Sequence, residues 1–122
     1  MIEPAKKTDS AILAELALNI WRGHSFDSLR EEFEELTCSA DAVCFIKYDG
    51  GIPVGFAQCQ LRRDYVEGTE TSPVGYLEGI FVLEEYRHRG YAKELLQSCE
   101  RWARDKNCSE FASDCDLIIS RV

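Results

Sequence analysis

"YRHRGYAKELLQSCERWA", residues 86–103, opens with two arginines, a glycine and an alanine and then runs on in a helical pattern. Ala92, Leu95, Leu96, Cys99, Trp102 and Ala103 recur at the spacing of one helix face, so residues 91–105 read as an amphipathic helix. The run "GYLEGIFV" (75–82) before it and "EFASDC" (110–115) after it read as strands. Strand, helix and strand make a βαβ unit with parallel strands. That unit sets the fold class as α/β or α+β with a mixed sheet.

The flanking chain supplies the rest of the sheet. Ile2 to Lys6 reads as a short strand, and Thr8 or Asp9 then caps a helix whose face is Ile12, Leu13, Leu16 and Ile20. A second helix starts at Asp27 and buries Leu29, Phe33 and Leu36. Ala42 to Tyr48 and Val54 to Leu61 are β-rich runs joined by "DGGIP", a hairpin turn followed by an antiparallel return. With 122 residues, 45% of them hydrophobic, residues 1–122 are expected to form one domain. No run of about 18 apolar residues is present, and "MIEPAKKTDS" lacks an apolar stretch before a small-residue cleavage site. Neither a membrane span nor a signal peptide is expected, and the cytoplasm is the default compartment.

Six cysteines (38, 44, 59, 99, 108 and 115) lie mostly within apolar patterns and form no C-x-x-C pair, so they read as reduced. His24 and His88 are isolated, and no metal site is expected. The net charge of -8 is unevenly spread. Residues 27–37 hold five acids against one arginine, and "DYVEGTETSPVGYLE" (64–78) holds Asp64, Glu67, Glu70 and Glu78 with no base, interleaved with Tyr65 and Tyr76. Residues 86–93 hold Arg87, Arg89 and Lys93 with no acid. The two surfaces attract ligands of opposite sign. One short cationic turn in an acidic chain is a poor match for nucleic acid, whose many phosphates need many cations.

The cationic turn has a physical use. The first turn of a helix leaves N–H groups unpaired at the positive end of its dipole, so a preceding turn that exposes amides makes an anion site. Gly90 lets a ligand come close, Arg87, Arg89 and Lys93 add charge, and a pyrophosphate is the natural occupant.

Arg87-His88-Arg89-Gly90-Tyr91-Ala92 resembles the [Q/R]-x-x-G-x-[G/A] motif of the GNAT N-acetyltransferases. The order strand, two helices, hairpin, strand, motif helix and strand is similar to that family over nearly the whole chain. The resemblance implies a GNAT-like, mostly antiparallel sheet flanked by helices, with acetyl-CoA as cosubstrate. Arg87 to Lys93 would hold its pyrophosphate, and the backbone of Ile80, Phe81 and Val82 would pair with its pantetheine arm. "FAQCQLRRDYVEGTETSPVGYLEGIFVLEEYRHRGYAKELL" and "CSEFASDCDL" further resemble the bacterial aminoglycoside 6′-N-acetyltransferases. Trp21 and His24 sit in a segment like that subfamily's, and the aminosugar-binding positions implied are Trp21, His24, Tyr65, Glu70, Glu78 and Asp114. The partner implied is a polycationic small-molecule amine, which an acidic cleft attracts and holds by charge-assisted hydrogen bonds.

Only a neutral amine attacks a thioester, so the site must take a proton from a substrate that arrives as an ammonium. Asp114, at the C-terminal end of the strand after the motif helix, is the first candidate for that base, and Glu78 the second. The N–H of Val82 is the simplest donor for the developing oxyanion. Cys115 is expected to pack in the core, because alternation puts it and Asp114 on opposite faces and no histidine is near it in sequence.

The C-terminal stretch departs from the resemblance. After "FASDCDL" the family pattern continues through a further helix and a last strand, whereas this sequence ends at "IISRV". The expectation is an unpaired sheet edge that a second copy covers, as a strand-exchanged or edge-paired homodimer. A truncated GNAT domain that binds CoA without turnover stands as the alternative function, as does an enzyme acting on a polyamine, a small amine or a protein lysine.

Overall fold

The computed structural model describes residues 1–64, 66 and 68–113 and the backbone of 119–121. Six strands among them form one sheet in sequence order: β1 (Ile2–Pro4), β2 (Ala42–Asp49), β3 (Ile52–Arg62), β4 (Val74–Val82), β5 (Glu110–Ser113) and β6 (Ile119–Arg121). Neighbours pair antiparallel except β4 and β5, which are parallel and joined through α3 (Tyr91–Asp105). The βαβ unit is therefore as expected. Helices α1 (Ser10–Ala17) and α2 (Phe26–Leu36) lie on the opposite face from α3.

Local chemistry explains the element ends. Asp49 pairs with Ile52 across a two-residue turn in which Gly50 and Gly51 have φ of 58° and 83°, the left-handed pair that a tight hairpin requires. Helix α2 starts at Phe26, one residue earlier than expected, because the Ser25 side chain accepts the Ser28 N–H at 3.1 Å. Helix α1 ends at Ala17, with the Asn19 side chain donating to the Leu16 carbonyl at 3.0 Å. Ile20, expected on its buried face, lies beyond the helix and is 39% exposed.

The sheet alternates between two cores. Cys44, Ile46 and Phe56 meet Leu13 and Leu16 of α1 and Leu29 and Phe33 of α2, while Ala57 and Cys59 meet Leu95, Cys99 and Ala103 of α3. Burying each large side chain contributes about 1.5–3 kcal/mol. Cys44, Cys59, Cys99 and Cys108 are buried free thiols, and burial pushes Cys44 up to about 12. Packed this way, the thiols act as small apolar side chains. Cys115 lies outside the described residues.

Two irregularities shape the far half of the sheet. Gln58 pairs with Gly79 but Cys59 with Leu77, so Glu78 is an extra residue in β4. Its insertion shifts the alternation: Leu77 and Ile80 both pack on the α3 side, while Gly79 sits under Trp21 on the other. The β4–β5 pairing runs from Gly75↔Phe111 to Leu77↔Ser113.

The outer edge of β5 corrects the expectation of an unpaired strand. Ile119–Arg121 pairs with it antiparallel, Glu110↔Arg121 to Ala112↔Ile119, because the chain returns along β5 after residue 118. Backbone groups that would otherwise face solvent are bonded there.

A Cβ added at Gly75 would lie 2.6 Å from Ala103 Cβ and 2.8 Å from Phe111 Cδ2, so α3 and β5 approach β4 only because residue 75 has no side chain. Gly75→Ala is expected to lower the free energy of unfolding by about 1–3 kcal/mol. Urea denaturation followed by circular dichroism measures this, and an unchanged midpoint would contradict the packing account.

Candidate active site

The turn before α3 exposes backbone donors. His88 and Gly90 have φ of 65° and 83°, and the first intrahelical bond is the Glu94 N–H to the Gly90 carbonyl at 3.0 Å. The amides of Tyr91, Ala92 and Lys93 thus precede the helix's own ladder and point out of its positive end. A left-handed histidine is a costly conformation of the kind that clusters at functional sites. Together with Val82, Tyr86 and Arg87, residues 88 and 90–93 line a hollow of about 120 Å³. No atom lies within 4 Å of where a Gly90 Cβ would be, so the backbone there is open to a ligand.

The arginines are placed differently from one another. Arg87 lines the hollow, but its Nε donates to the Val82 carbonyl at 2.9 Å and its guanidinium lies over Phe81. Arg89 turns to the β2–β3 hairpin, donating to Asp49 at 3.3 Å, and is not among the lining residues. The Tyr91 hydroxyl donates to the same carboxylate at 2.5 Å. Buried Lys47 lies over the Tyr91 ring and donates to Glu94 at 2.8 Å, a bond that holds its ammonium above the usual lysine range. Asp49 and Lys47 were not singled out from the sequence. Only the hairpin register, which brings residues 47–49 against the start of α3, identifies them.

A second cavity, of about 270 Å³, adjoins the first. It is lined by Leu77, Ile80, Ala92, Lys93, Leu96, Phe111 and Ser113, and shares Ala92 and Lys93 with the anion hollow. It lies where the parallel pairing of β4 and β5 stops. The Leu83 N–H bonds the Val54 carbonyl at 2.8 Å, and pairing alternates from there. Phe81 therefore bonds β3, whereas Ile80 and Val82 direct their N–H and carbonyl groups to the side of the gap. The Phe81 side chain packs toward α1 and α2 instead.

The opposite face of β4 carries the polar groups. Trp21 covers Gly79, its ring carbons 2.8 and 2.9 Å from where a Cβ would be, and meets Phe56 edge-on at 6.2 Å. His24 is exposed one turn later, its N–H bonded to the Trp21 carbonyl at 3.1 Å. Arg62 forks onto Glu78 with bonds of 3.1, 3.0 and 2.8 Å and stacks on Tyr76. Glu70 is exposed on the β3–β4 loop. Its N–H and that of Thr71, each at 2.8 Å, and the Thr71 hydroxyl all donate to the buried carboxylate of Glu110. The structure thus puts Trp21 over Gly79, the residue after Glu78, and anchors Glu70 through its backbone. Tyr65 and Asp114 lie outside the described residues, Asp114 directly following the cavity residue Ser113. Among the described residues no three of His, Cys, Asp and Glu are grouped to hold a metal ion, and no helix is long and apolar enough to cross a membrane.

A cradle of amides beside an apolar cleft, where the pairing of two parallel strands stops, suits a pyrophosphate followed by a thin chain. Residues 11–117 match the Acetyltransferase (GNAT) family. The chain belongs to this family. Relatives among curated proteins include the Aminoglycoside N(6′)-acetyltransferase type 1 of Salmonella typhimurium, 42% identical over 81% of this chain and 68% of the relative. The protein of that name from Acinetobacter haemolyticus is 36% identical over 99% of this chain and 84% of its own. Among solved structures, aminoglycoside N-acetyltransferase AAC(6′)-Iy in complex with CoA superposes with a TM-score of 0.90 at 39% identity, over 93% of this chain and 75% of that one. The same enzyme with a bisubstrate analog, CoA-S-monomethyl-acetylneamine, gives 0.89 at 39% over 93% and 78%. GNAT membership makes acetyl-CoA the cosubstrate, and the hollow and cleft are the parts of this GNAT chain that fit it.

Gly90→Ala leaves the fold intact but forces a left-handed alanine, at about 1–2 kcal/mol, and places a methyl in the hollow. Its dissociation constant for CoA, measured by calorimetry, is expected to rise about tenfold or more; a value within about twofold of the parent would show that the ligand's anionic end binds elsewhere.

Proposed function

We propose that this chain transfers an acetyl group from acetyl-CoA to the 6′-amine of an aminoglycoside. The observation that carries the reading is the bulge at Glu78. One short stretch of β4 offers Ile80 and Val82 to the cofactor gap on one face and Glu78, with Trp21 over Gly79, to an acceptor on the other. Relatives covering most of the chain bear the name Aminoglycoside N(6′)-acetyltransferase. Residues 1–122 serve as one catalytic domain built on the single sheet.

Acetyl-CoA, when bound, supplies an activated thioester. The amides of Tyr91, Ala92 and Lys93 and the Lys93 ammonium hold the anionic end, and Leu77, Leu96 and Phe111 keep the cleft dry. The Val82 N–H faces the gap with its own carbonyl pinned by Arg87, which makes it a preorganised donor for negative charge developing there. Trp21 gives a flat apolar wall for a sugar ring, while Glu70, exposed on its anchored loop, and His24 extend the polar rim. Tyr65, close to Glu70 in sequence, is part of the same reading. Asp114 follows Ser113 at the cavity and is the first choice to take the proton from the acceptor's ammonium; Glu78 is the second. A homodimer is part of the reading, with β6, at the outer end of the sheet, as the edge along which a second copy would pair.

The test is CoA thiol release from acetyl-CoA with kanamycin as acceptor and a polyamine as control. Release with kanamycin alone is the expected result. Release with the polyamine alone, or none while CoA still binds, would refute the acceptor assignment. Asp114→Asn is expected to lower kcat about a hundredfold with CoA affinity unchanged, and Glu78→Gln to lower it less. Light scattering should give twice the chain mass of 13.9 kDa; a monomer mass would remove the dimer from the reading.

A further inference from the structure

Arg62 and Glu78 come from adjacent strands and lie on the sheet face that Trp21 covers. The guanidinium Nε reaches Oε2 at 3.1 Å and Nη2 reaches both oxygens at 3.0 and 2.8 Å. Its carbon lies 4.0 Å from the centroid of the Tyr76 ring. Both oxygens of Glu78 are therefore taken by a cation, in the fork geometry that charge-assisted pairs favour. The Glu78 side chain is 18% exposed and that of Arg62 41%, so the acid is the sheltered partner and the arginine the removable one. An ammonium group needs the same carboxylate lone pairs as this guanidinium.

The geometry points to Arg62 as an internal competitor for the acceptor, an inference that rests on the aminoglycoside reading above. Arg62 keeps the sheltered Glu78 neutralised in the free protein and leaves it when a cationic amine arrives. The exchange sets a threshold. A ligand with one ammonium trades one cation for another on Glu78 and gains little. A polycation that also meets the exposed acids of the β3–β4 loop gains enough to displace the fork. Arg62 is thus a specificity-determining residue that disfavours singly charged amines, and its removal strengthens acceptor binding. A supporting role, in which Arg62 merely holds Glu78 in place, gives the opposite sign.

Calorimetry with kanamycin and with 6-amino-6-deoxyglucose as a singly charged probe separates these, with CoA binding measured in parallel as the check on folding. Arg62→Gln is expected to tighten kanamycin binding about fivefold or more and to bring the single amine into measurable range. The gain should vanish in the Glu78→Gln background. Weaker or unchanged binding, or a gain that survives loss of Glu78, overturns the proposal. Should Arg62→Gln lose CoA binding, Arg62→Lys decides, since it keeps the charge without the fork: tighter kanamycin binding supports the competitor role and weaker or equal binding refutes it. If the parent protein binds CoA but neither amine, the acceptor reading itself has failed and the inference with it. Amine binding with the wrong sign removes the inference alone.

Discussion

One extra residue in β4 governs the geometry around which the rest is arranged. Without a bulge at Glu78 the strand would keep strict alternation, and Leu77 and Ile80, three positions apart in the sequence, would face opposite sides. With it, both face α3 and line the cofactor cleft, while Glu78 and Gly79 together face Trp21. A bulge also bends and twists its strand. The β4–β5 pairing ends at Leu77↔Ser113, level with the bulge, so the cleft and the face under Trp21 meet at one stretch of the sheet. Two substrates that must react are best brought together this way, from opposite sides of one strand.

The anion cradle depends on less obvious support. Helix α3 is fixed along its length by Leu95, Cys99 and Ala103, but the turn that precedes it carries left-handed residues and strain. The β2–β3 hairpin steadies it through Asp49, which accepts from both Arg89 and Tyr91, and through Lys47 on Glu94. Two residues of the motif are thus used to hold it, Arg89 by its charge and Tyr91 by its hydroxyl. A cationic motif read as one phosphate clamp divides into a ligand-facing part, at residues 88 and 90–93, and a fastening.

The βαβ unit, the hairpin and α3 were legible because each rests on local pattern: apolar spacing, a Gly-Gly turn, a glycine before a helix. Trp21 was legible only through resemblance and Glu78 first as one acid of the base-free run 64–78, since nothing in their spacing places them together. Arg62, Lys47, Asp49 and Glu110 went unread because their roles come from pairing across 16 to 47 positions of sequence. The bulge was hidden for a different reason. "GYLEGIFV" has the composition of an unbroken strand, and only the partner's register reveals the surplus residue. Ile20 was misplaced because periodicity continues past Ala17 although the helix does not.

The clamp at Glu110 has a consequence for how such a protein changes over generations. Its carboxylate grips the acidic loop chiefly by main-chain amides, those of Glu70 and Thr71, which every residue except proline supplies. The side chain at position 70 is left out of the attachment and stands in solvent. Mutation can therefore alter the charge and shape presented at that position while the loop keeps its path. The charge presented at position 70 and the integrity of the fold are separately heritable here, and a gene under shifting selection can explore the first without endangering the second.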